Sequence, residues 1–422
     1  MPEQRNIVVI GGAFSGIAIA HNLLRHVLPE LDVHATSTSG NSYRVTLISP
    51  STHFYWKIGA PRALISADAL PREKTFMPIA DGFKEYPSAL YEFIHGTVTK
   101  LDPDTHQLTI KPEDGPTANA YTLPYHAVIL ATGRQSHSPL FSLHGPHTRT
   151  VAALEEMHSR LPTAQSIVVA GGGAAGVETA GELGSAFGKK KDILLLSGSS
   201  RLLPSLRADI GARAEKYLRD LGVEVVHGVR VTSVSSQTTL HLDDSTTRST
   251  DVYIDATGGD PNTSFLPPAW LEPNGTITTS PTTLRVTPAF PGTLAYALGD
   301  VTSFSKGSIL DVWEPVPALT ASLEHDLYAA EDALDRLPDQ HVGQDGTDKK
   351  DAAHASASAR VAPAEILYAQ AKSDTMIVPV GRSKGVGVAF GWWLPSLLIW
   401  WVKGRTFMAE KMAETVMGDK FR

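Results

Sequence analysis

The hydrophobic residues of this chain come in short, unbroken runs, a pattern typical of strands that are buried on both faces of a parallel sheet. These runs occupy residues 7–10, 44–49, 125–133, 167–170, 192–197, 251–258 and 294–301. Residues 16–26 and 315–334 are predicted to be helices, and residues 29–42 are predicted to form a polar loop. Shorter runs at 93–101 and 108–110 predict two antiparallel strands. The alternation of strands and helices predicts an α/β fold.

The strand at 167–170 leads directly into a glycine-rich turn and then into a helix. Gly171, Gly173 and Gly176 match the spacing G-x-G-x-x-G. The first glycine permits a tight turn, the second leaves bare backbone beside a pyrophosphate, and the third lets the helix starting near Ala174 pack closely on the strand. Unpaired N–H groups and the helix dipole favour a phosphate at that point. The turn is therefore a candidate dinucleotide site, although such turns also arise for packing alone.

The strand at 7–10 repeats this arrangement at the N-terminus. Its turn contains Gly11, Gly12, Ala13, Ser15 and Gly16, with Ala13 at the position of the second glycine of the motif. A methyl group there narrows the approach of a phosphate. Because the strand–turn–helix pattern occurs twice, we predict two Rossmann-like dinucleotide-binding units.

The second strand of each unit ends in a serine, Ser49 or Ser197, where such domains usually carry an acidic residue that binds a ribose hydroxyl. A serine hydroxyl can make the same bond more weakly. After Ser197 come further hydroxyls and Arg201, and no carboxylate would repel a 2′-phosphate there. This favours NADPH over NADH. Alternatively, Arg201 packs near Asp209 or is solvated.

Later strands of the two units also end alike. Ala131-Thr132-Gly133 closes one strand, and the same three residue types close another at Gly258. A further strand ends in Gly299-Asp300, and we expect Asp300 to accept a hydrogen bond from a flavin ribityl hydroxyl. The following helix contains Pro317 in its first turn, and its N-terminus is expected to face the flavin ring. Simple helix initiation is the alternative explanation of this proline.

Composition excludes several classes of function. The 422 residues include no cysteine, so a redox-active cysteine pair and a cysteine-ligated zinc are both excluded. The 16 histidines show no ligand spacing, so no metal site is predicted. A net charge of −7 gives no basic field for nucleic acid. Without a secretory signal or an apolar run of about 18 residues, a cytoplasmic or peripheral membrane location is expected.

The predicted domain organisation places one dinucleotide-binding domain inside another. An FAD-binding domain comprises residues 1–153 and 285–336, and an NAD(P)H-binding domain at 154–284 is inserted between them. Residues 337–361 are polar and aperiodic and are predicted to be a disordered insertion. Residues 362–422 are predicted to form a C-terminal α+β segment.

Four of the seven tryptophans lie in this C-terminal segment, between residues 392 and 401. A buried helix or the seam of a homodimer is one interpretation. Tryptophan beside leucine and isoleucine, followed by Lys403 and Arg405, is also typical of a helix at a membrane surface. The same stretch could form a wall of an apolar acceptor site.

In this order, the motifs resemble those of flavoproteins with two dinucleotide-binding domains. Within that superfamily, Phe54-Tyr55-Trp56, Lys74-Thr75-Phe76 and the tail at 380–387 resemble the AMID-like group. That group comprises apoptosis-inducing-factor homologues and ferroptosis suppressor proteins, and it is related to type II NAD(P)H dehydrogenases. The resemblance covers nearly the whole chain apart from the insertion. It implies bound FAD, an NAD(P)H site and two-electron reduction of quinones.

The resemblance also implies roles for single residues. FAD would be held by Gly11, Gly12, Gly16, Arg62 and Asp300, and Lys74 is a further candidate for cofactor binding. Glu178 would face the nicotinamide nucleotide, although a solvated acid in a first helical turn is the alternative. With Glu178, we take Lys57 and Trp313 as candidate catalytic residues, since a planar acceptor is expected to enter near these two and the tryptophan-rich segment.

The function predicted is therefore an FAD-dependent NAD(P)H oxidoreductase that reduces a quinone or a similar planar molecule. Two alternatives stay open. One is an FAD-dependent tailoring oxidoreductase of a specialised metabolite. The other is a flavoprotein scaffold with weak redox activity, regulated by nucleotide binding.

Overall fold

The computed structural model describes residues 3–38, 40–113, 115, 119–236, 238–335 and 362–419. The insertion predicted at 337–361 lies outside the described residues. Within them the chain forms two main sheets with helices around them, and the α/β fold predicted from the sequence is confirmed.

The first sheet has seven strands. Their order is Leu294–Ala297, Ala127–Leu130, Gln4–Ile10, Ser42–Ser49, Tyr91–Asp102, Gln107–Pro112 and Tyr121–Pro124. The first five are parallel, and the last two pair antiparallel as a meander at one edge. Because Leu294–Ala297 returns beside Ala127–Leu130, the late segment completes a sheet begun by the N-terminus.

The second sheet is formed by the residues between these parts of the first. Its four parallel strands are, in order, Val223–His227, Asp192–Ser197, Ser166–Ala170 and Val252–Asp255. Three antiparallel strands, Val231–Ser235, Thr239–Leu242 and Thr247–Ser249, leave this sheet and return to it. A two-stranded pairing of Arg134–Ser136 with Gly259–Pro261 joins the two units.

The polar loop predicted at 29–42 is wrong over most of its length. The first helix, Phe14–Asn22, continues through a π-helical turn at Leu23–Val27 into the helix Leu28–Thr38. Leu28, Leu31 and Ala35 are buried at helical spacing, while polar residues between them cover the outer face. Pro29 is compatible with this helix because it lies in the first turn. The loop was predicted from the polar composition of this segment, and the short apolar stripe along one face of the helix was overlooked.

The remaining long helices flank the sheets. They are His147–Arg160, Ala174–Phe187, Ala208–Asp220 and Val316–Asp335. Short strands and helical turns surround the carboxyl end of the first sheet: His53–Tyr55, Lys57–Gly59, Ala60–Ala63, Arg72–Lys74, Phe76–Pro78, Ile79–Phe83, Pro268–Trp270 and Leu310–Trp313.

The C-terminal segment contains both strands and helices, as predicted. Met376–Val380, Lys384–Ala389 and Trp392–Trp393 form an antiparallel sheet. Ser396–Ile399, the π-helical turn Trp400–Gly404 and Lys411–Val416 follow. No helix in the described part of the chain has the length and apolarity needed to cross a bilayer.

Candidate cofactor and nucleotide site

The two glycine-rich turns have nearly the same backbone geometry. Gly11 has φ +119° and Gly171 has φ +126°, values that favour glycine. A Cβ atom at Gly11 would lie 2.4 Å from the carbonyl oxygen of Ala131, and one at Gly171 would lie 2.3 Å from that of Ala256. Each turn is thus pressed against the strand end that carries the Ala-Thr-Gly sequence.

The third glycine of each motif allows the helix to contact its own turn. A Cβ at Gly16 would lie 1.7 Å from the oxygen of Gly11, and one at Gly176 would lie 1.9 Å from that of Gly171. No side chain fits at either position. The contact fixes each helix N-terminus beside the turn, where its N–H groups are available to an anion.

The middle position of each motif is open instead. A Cβ at Gly173 would meet nothing within 4 Å. The equivalent residue of the first turn is Ala13, which lines a cleft. Its methyl group therefore costs no packing, although it reduces the space beside a bound phosphate.

The two serines at the strand ends point into their own loops. The Ser49 hydroxyl donates to the carbonyl oxygen of Ser51 at 2.9 Å, and the Ser197 hydroxyl donates to that of Ser199 at 3.2 Å. Both serines are buried. Their hydroxyls donate to their own loops and hold them in shape, so Ser197 can bond a ribose hydroxyl as an acceptor and not as a donor.

A cleft enclosing about 1180 Å³ of empty space, part of it open to solvent, lies at the carboxyl ends of the first sheet. The predicted residues that line it are Gly11, Gly12, Ala13, Ser15, Ser49, Lys57, Ala131, Thr132, Gly133 and Asp300. They come from four strand ends and are far apart in sequence. Gly299 lies next to the cleft residue Ser15. Its φ of +83° and this contact exclude a side chain at position 299.

The cleft fits the FAD implied by the motifs. Its glycine-rich wall leaves backbone open to a ligand, and a helix N-terminus borders it. Lys57 and Asp300 face each other across it, with the Lys57 Nζ 3.3 Å from Asp300 Oδ2. Both side chains are partly exposed, so this ion pair adds little to stability and leaves Asp300 able to accept further hydrogen bonds.

Asn262 is a cleft residue that the sequence did not single out as part of the site. It exchanges two hydrogen bonds with Thr132: the Thr132 hydroxyl donates to the Asn262 carbonyl at 2.8 Å, and the Asn262 amide donates to the Thr132 carbonyl at 2.9 Å. Asn262 therefore joins the second unit to the cleft wall. In the sequence, Asn262 could have been found from its position three residues after Gly259, close to the second Ala-Thr-Gly segment. Ser51, Tyr55, Arg134, Ile309 and Val312 also line the cleft.

Arg62, expected to bind FAD, lies outside the cleft. Its guanidinium donates to both oxygens of Glu182, at 2.9 and 2.8 Å, and to the carbonyls of Gly404 and Arg405. Arg62 is 2% exposed, so its charge is fully used in this buried contact. It joins the first unit to the second-unit helix and to the C-terminal segment. Lys74, Trp313 and Pro317 also do not line the cleft.

Glu178 is buried and forms an ion pair that the sequence did not predict. Its Oε1 is 2.5 Å from the Nζ of Lys403, which also donates to the carbonyl of Ile377. Burial raises the pKa of the Glu178 carboxyl, and the neighbouring Lys403 ammonium partly opposes this. The alternative of a solvated helix acid is therefore wrong. The pair can hold a proton at a position shielded from water.

Around the second turn, the predicted residues are less closely grouped. Gly258 has φ +114° and a Cβ there would meet nothing within 4 Å. Arg201 donates to the carbonyls of Leu206 and Pro204, both at 2.7 Å, so its guanidinium closes its own loop.

In the described residues, no group of three or more histidines and carboxylates has the arrangement of a metal site.

Comparison with known families identifies the chain. Residues 5–321 match the model of the pyridine nucleotide-disulphide oxidoreductase family. The chain belongs to this family. It is therefore an FAD- and NAD(P)-dependent oxidoreductase, which agrees with the two glycine-rich turns and the cleft.

Individual relatives extend the match beyond the family segment. The oxidoreductase phnG of Penicillium herquei is 36% identical over 428 residues, which cover 96% of this chain and 94% of phnG. Ferroptosis suppressor protein 1 of Homo sapiens is 26% identical over 234 residues, 54% of each chain. A solved structure of NDH2 from Plasmodium falciparum in complex with NADH has a TM-score of 0.64 at 13% identity, covering 98% of this chain and 96% of NDH2. That likeness shows the fold alone.

Proposed function

We propose that this oxidoreductase transfers two electrons from NAD(P)H, by way of FAD, to a quinone or a similar planar apolar acceptor. The observation that carries the proposal is the pair of matching turns in two separate sheets, one beside the cleft and one beside the Glu178–Lys403 pair. Bound FAD supplies the two-electron chemistry that amino-acid side chains lack. Since the chain has no cysteine, no thiol relay lies between FAD and the acceptor.

The residues of the cleft would hold FAD in a fixed orientation. The turn at 11–16 and its helix would bind the pyrophosphate through backbone N–H groups. Asp300 would accept a hydrogen bond from a ribityl hydroxyl, while Lys57 holds the Asp300 carboxylate in place. The N-terminus of Val316–Asp335, which contains Pro317, would stabilise negative charge on the ring.

Glu178 and Lys403 would manage the proton that the reaction needs. Reduction of a quinone follows NAD(P)H + H⁺ + quinone → NAD(P)⁺ + quinol, so one proton must come from the medium or from a side chain. The Glu178 carboxyl has a raised pKa and touches an ammonium group, which suits it to hold or release a proton. The Glu178 carboxyl would store this proton at a buried position, with the Lys403 ammonium beside it.

The C-terminal segment supports an apolar acceptor and a peripheral membrane location. Phe390, Trp392, Leu397 and Trp401 are between 61% and 79% exposed. Residues 376–405 contain four basic residues and no acidic one, in a chain of net charge −7. Arg382 and Lys403 pair with Glu182 and Glu178, which leaves the exposed Lys384 and Arg405 as basic groups beside the apolar surface. An apolar surface with basic groups beside it suits the interface of an anionic membrane, from which a quinone could be drawn. The AMID-like assignment is part of this proposal and is supported by the match to ferroptosis suppressor protein 1.

A panel of quinones tests the proposal. The purified yellow protein is mixed with NADPH or NADH and with quinones of increasing side-chain length, and NAD(P)H oxidation is followed together with quinol formation. Turnover above about one per second with at least one quinone, at matched amounts of NAD(P)⁺ and quinol, is expected. Slower turnover with every quinone would contradict a quinone acceptor and leave the scaffold role and the second candidate function below.

A second candidate function is the tailoring of a specialised metabolite. The near full-length similarity to the fungal oxidoreductase phnG favours it, since the match to ferroptosis suppressor protein 1 covers only half of each chain. Both functions use the same two cofactors and differ only in the acceptor. Product analysis separates them: a tailoring enzyme would leave generic quinones almost untouched and convert one aromatic metabolite of its own host.

A further inference from the structure

The surface beside the second turn carries an arginine that sequence motifs do not reveal. Strand Asp192–Ser197 ends at Ser197, where an acidic residue usually binds the adenosine ribose, and Gly198 follows directly. A Cβ at Gly198 would lie 2.7 Å from Cγ and 2.9 Å from Nε of Arg230. The side chain of Arg230 therefore lies over the residue next to the position of the missing acid.

The backbone holds Arg230 in this place. The N–H of Gly228 donates to the carbonyl of Ser199 at 3.1 Å, and the N–H of Val229 donates to that of Ser197 at 3.2 Å. The N–H of Arg230 donates to Asp243 Oδ1 at 2.9 Å, so this carboxylate is bound by the backbone. The loop after the neighbouring strand is thus fixed against the end of Asp192–Ser197.

The guanidinium of Arg230 is available to a ligand. The residue is exposed, and its side chain donates only from Nε, to the carbonyl of Gly198 at 3.4 Å. Among the described residues, no carboxylate lies within ion-pair distance of it. Arg201, the arginine expected from the sequence to face the ribose, has both terminal nitrogens bound to carbonyls of its own loop.

We propose that Arg230 is the residue that selects NADPH, by binding the 2′-phosphate of its ribose together with the hydroxyls of Ser199 and Ser200. An exposed guanidinium held over a glycine, with the nearby Asp243 carboxylate bound by the Arg230 backbone N–H, matches the geometry and charge of a phosphate monoester. The same arrangement lacks the strand-end carboxylate that usually accepts a hydrogen bond from the 2′-hydroxyl of NADH, because Ser197 stands in its place. The inference rests on the proposed use of NAD(P)H.

Binding of two fragments tests Arg230 without any turnover. 2′,5′-ADP carries the extra phosphate of NADPH, whereas 5′-AMP lacks it, and both are titrated into the flavin-bound protein by calorimetry. We expect wild type to bind 2′,5′-ADP at least about 10-fold more tightly than 5′-AMP. Arg230→Gln should weaken 2′,5′-ADP by about 10- to 100-fold, the range for charge-assisted bonds to one arginine, and leave 5′-AMP unchanged.

Two further variants test whether the loss of 2′,5′-ADP affinity in Arg230→Gln comes from a general effect on folding. Arg230→Lys keeps the charge without the planar fork and should retain part of the preference. Arg207→Gln removes an exposed arginine of the same unit that pairs with Asp209, and it should change neither affinity. Equal binding of the two fragments to wild type, or an unchanged 2′,5′-ADP affinity in Arg230→Gln, would overturn the inference.

Flavin reduction distinguishes failure of this inference from failure of the proposed function. If neither NADPH nor NADH reduces the flavin, the proposed function fails. If both reduce it and Arg230→Gln leaves the NADPH-to-NADH ratio of kcat/KM unchanged, only the role of Arg230 is refuted. The expected result is a fall in this ratio by the same factor as the loss in 2′,5′-ADP affinity.

Discussion

The buried pair of Glu178 and Lys403 joins the second-unit helix to the C-terminal segment, and we propose that it also takes part in the chemistry. Glu178 is 4% exposed, and desolvation raises the pKa of its carboxyl. The Lys403 ammonium at 2.5 Å compensates for the loss of water. Breaking such a pair leaves a buried charge without a partner, which costs more than an exposed ion pair ever contributes.

Lys403→Met should therefore lower the free energy of unfolding by about 3–5 kcal/mol at pH 7. Without the ammonium, the pKa of Glu178 rises further, so the folded state takes up a proton more readily than the unfolded state. The deficit should shrink as the pH falls through the raised folded pKa towards the ordinary carboxyl value of 4.5. Urea unfolding of wild type and Lys403→Met between about pH 7 and pH 5 measures how this deficit changes.

The double variant Glu178→Gln/Lys403→Met is the control, because it removes both charges. It should recover part of the lost stability and show no such pH dependence, while hydride-dependent turnover stays low. A constant deficit for Lys403→Met at all pH values would mean that the Glu178 carboxyl is already neutral in wild type.

Single residues also show how much of the site could be predicted from the sequence. The glycines of both turns and the Ala-Thr-Gly segment of the cleft were recognisable because each acts through its immediate neighbours in the chain. Arg62 was not, since its partner Glu182 is 120 residues away. Arg230 was missed for the same reason, being 32 residues from the glycine it covers.

At the scale of elements, the two strand–turn–helix units are equivalent in structure and separable by mutation. Gly176→Ala would place a Cβ 1.9 Å from the oxygen of Gly171, so the helix must move away from the turn. We expect this variant to retain flavin and to lose flavin reduction by NAD(P)H by at least about 100-fold. Visible absorbance and stopped-flow reduction measure the two properties.

Gly173→Ala is the matched control for that experiment. Its Cβ would meet no atom within 4 Å, and Ala13 already occupies the equivalent position of the first turn. The variant should fold normally. Its methyl group narrows the space beside the pyrophosphate and should weaken nucleotide binding, but the loss of reduction rate should be much smaller than in Gly176→Ala. An equal loss in the two variants would contradict the assignment of different roles to the two glycines.

The C-terminal helix Lys411–Val416 is attached to the first helix through a buried histidine. His21 Nε2 donates to the carbonyl of Val416 at 2.8 Å, and Nδ1 accepts from the Tyr86 hydroxyl at 2.9 Å. Burial lowers the pKa of His21 from 6.5 to about 4. The neutral ring is thus required for docking, and sequence patterns alone could not show this contact between residues 395 positions apart.

The His21 contact should make the packing of the helix Lys411–Val416 on the first helix sensitive to acid. Because the folded pKa of His21 lies below the unfolded value, its contribution to stability is present above about pH 6.5 and is lost as the pH falls towards 4, by up to about 3 kcal/mol. The stability difference between wild type and His21→Gln should shrink over this range. Thermal unfolding and proteolysis of the C-terminal helix measure it, and a difference independent of pH would contradict the account.

At the scale of the whole molecule, repetition made the fold predictable. Each unit begins with its own glycine-rich turn and contains its own Ala-Thr-Gly segment, so the succession of these motifs along the chain predicted two dinucleotide-binding units, one inserted in the other. The helix Leu28–Thr38 and the position of the C-terminal segment were not predictable in this way. Both depend on contacts with distant elements that leave no local pattern.

The exposed aromatic surface at 390–401 is a property of the whole molecule, because it combines with a local reversal of charge. We expect the protein to sediment with vesicles containing phosphatidylserine, less well with neutral vesicles, and less at high salt. Trp392→Ser/Trp401→Ser should abolish this binding, and Val234→Ser, an exposed apolar control, should not. A dimer that these tryptophan variants dissociate, without vesicle binding, would assign the surface to a second copy instead.

The most direct test of the account is an anaerobic titration of the purified yellow protein with NADPH and with NADH. The account predicts that about one equivalent of nucleotide bleaches the visible flavin band, that NADPH does so faster, and that an added quinone restores the colour. Protein that stays colourless when FAD is supplied, or a flavin band that neither nucleotide changes, would contradict it.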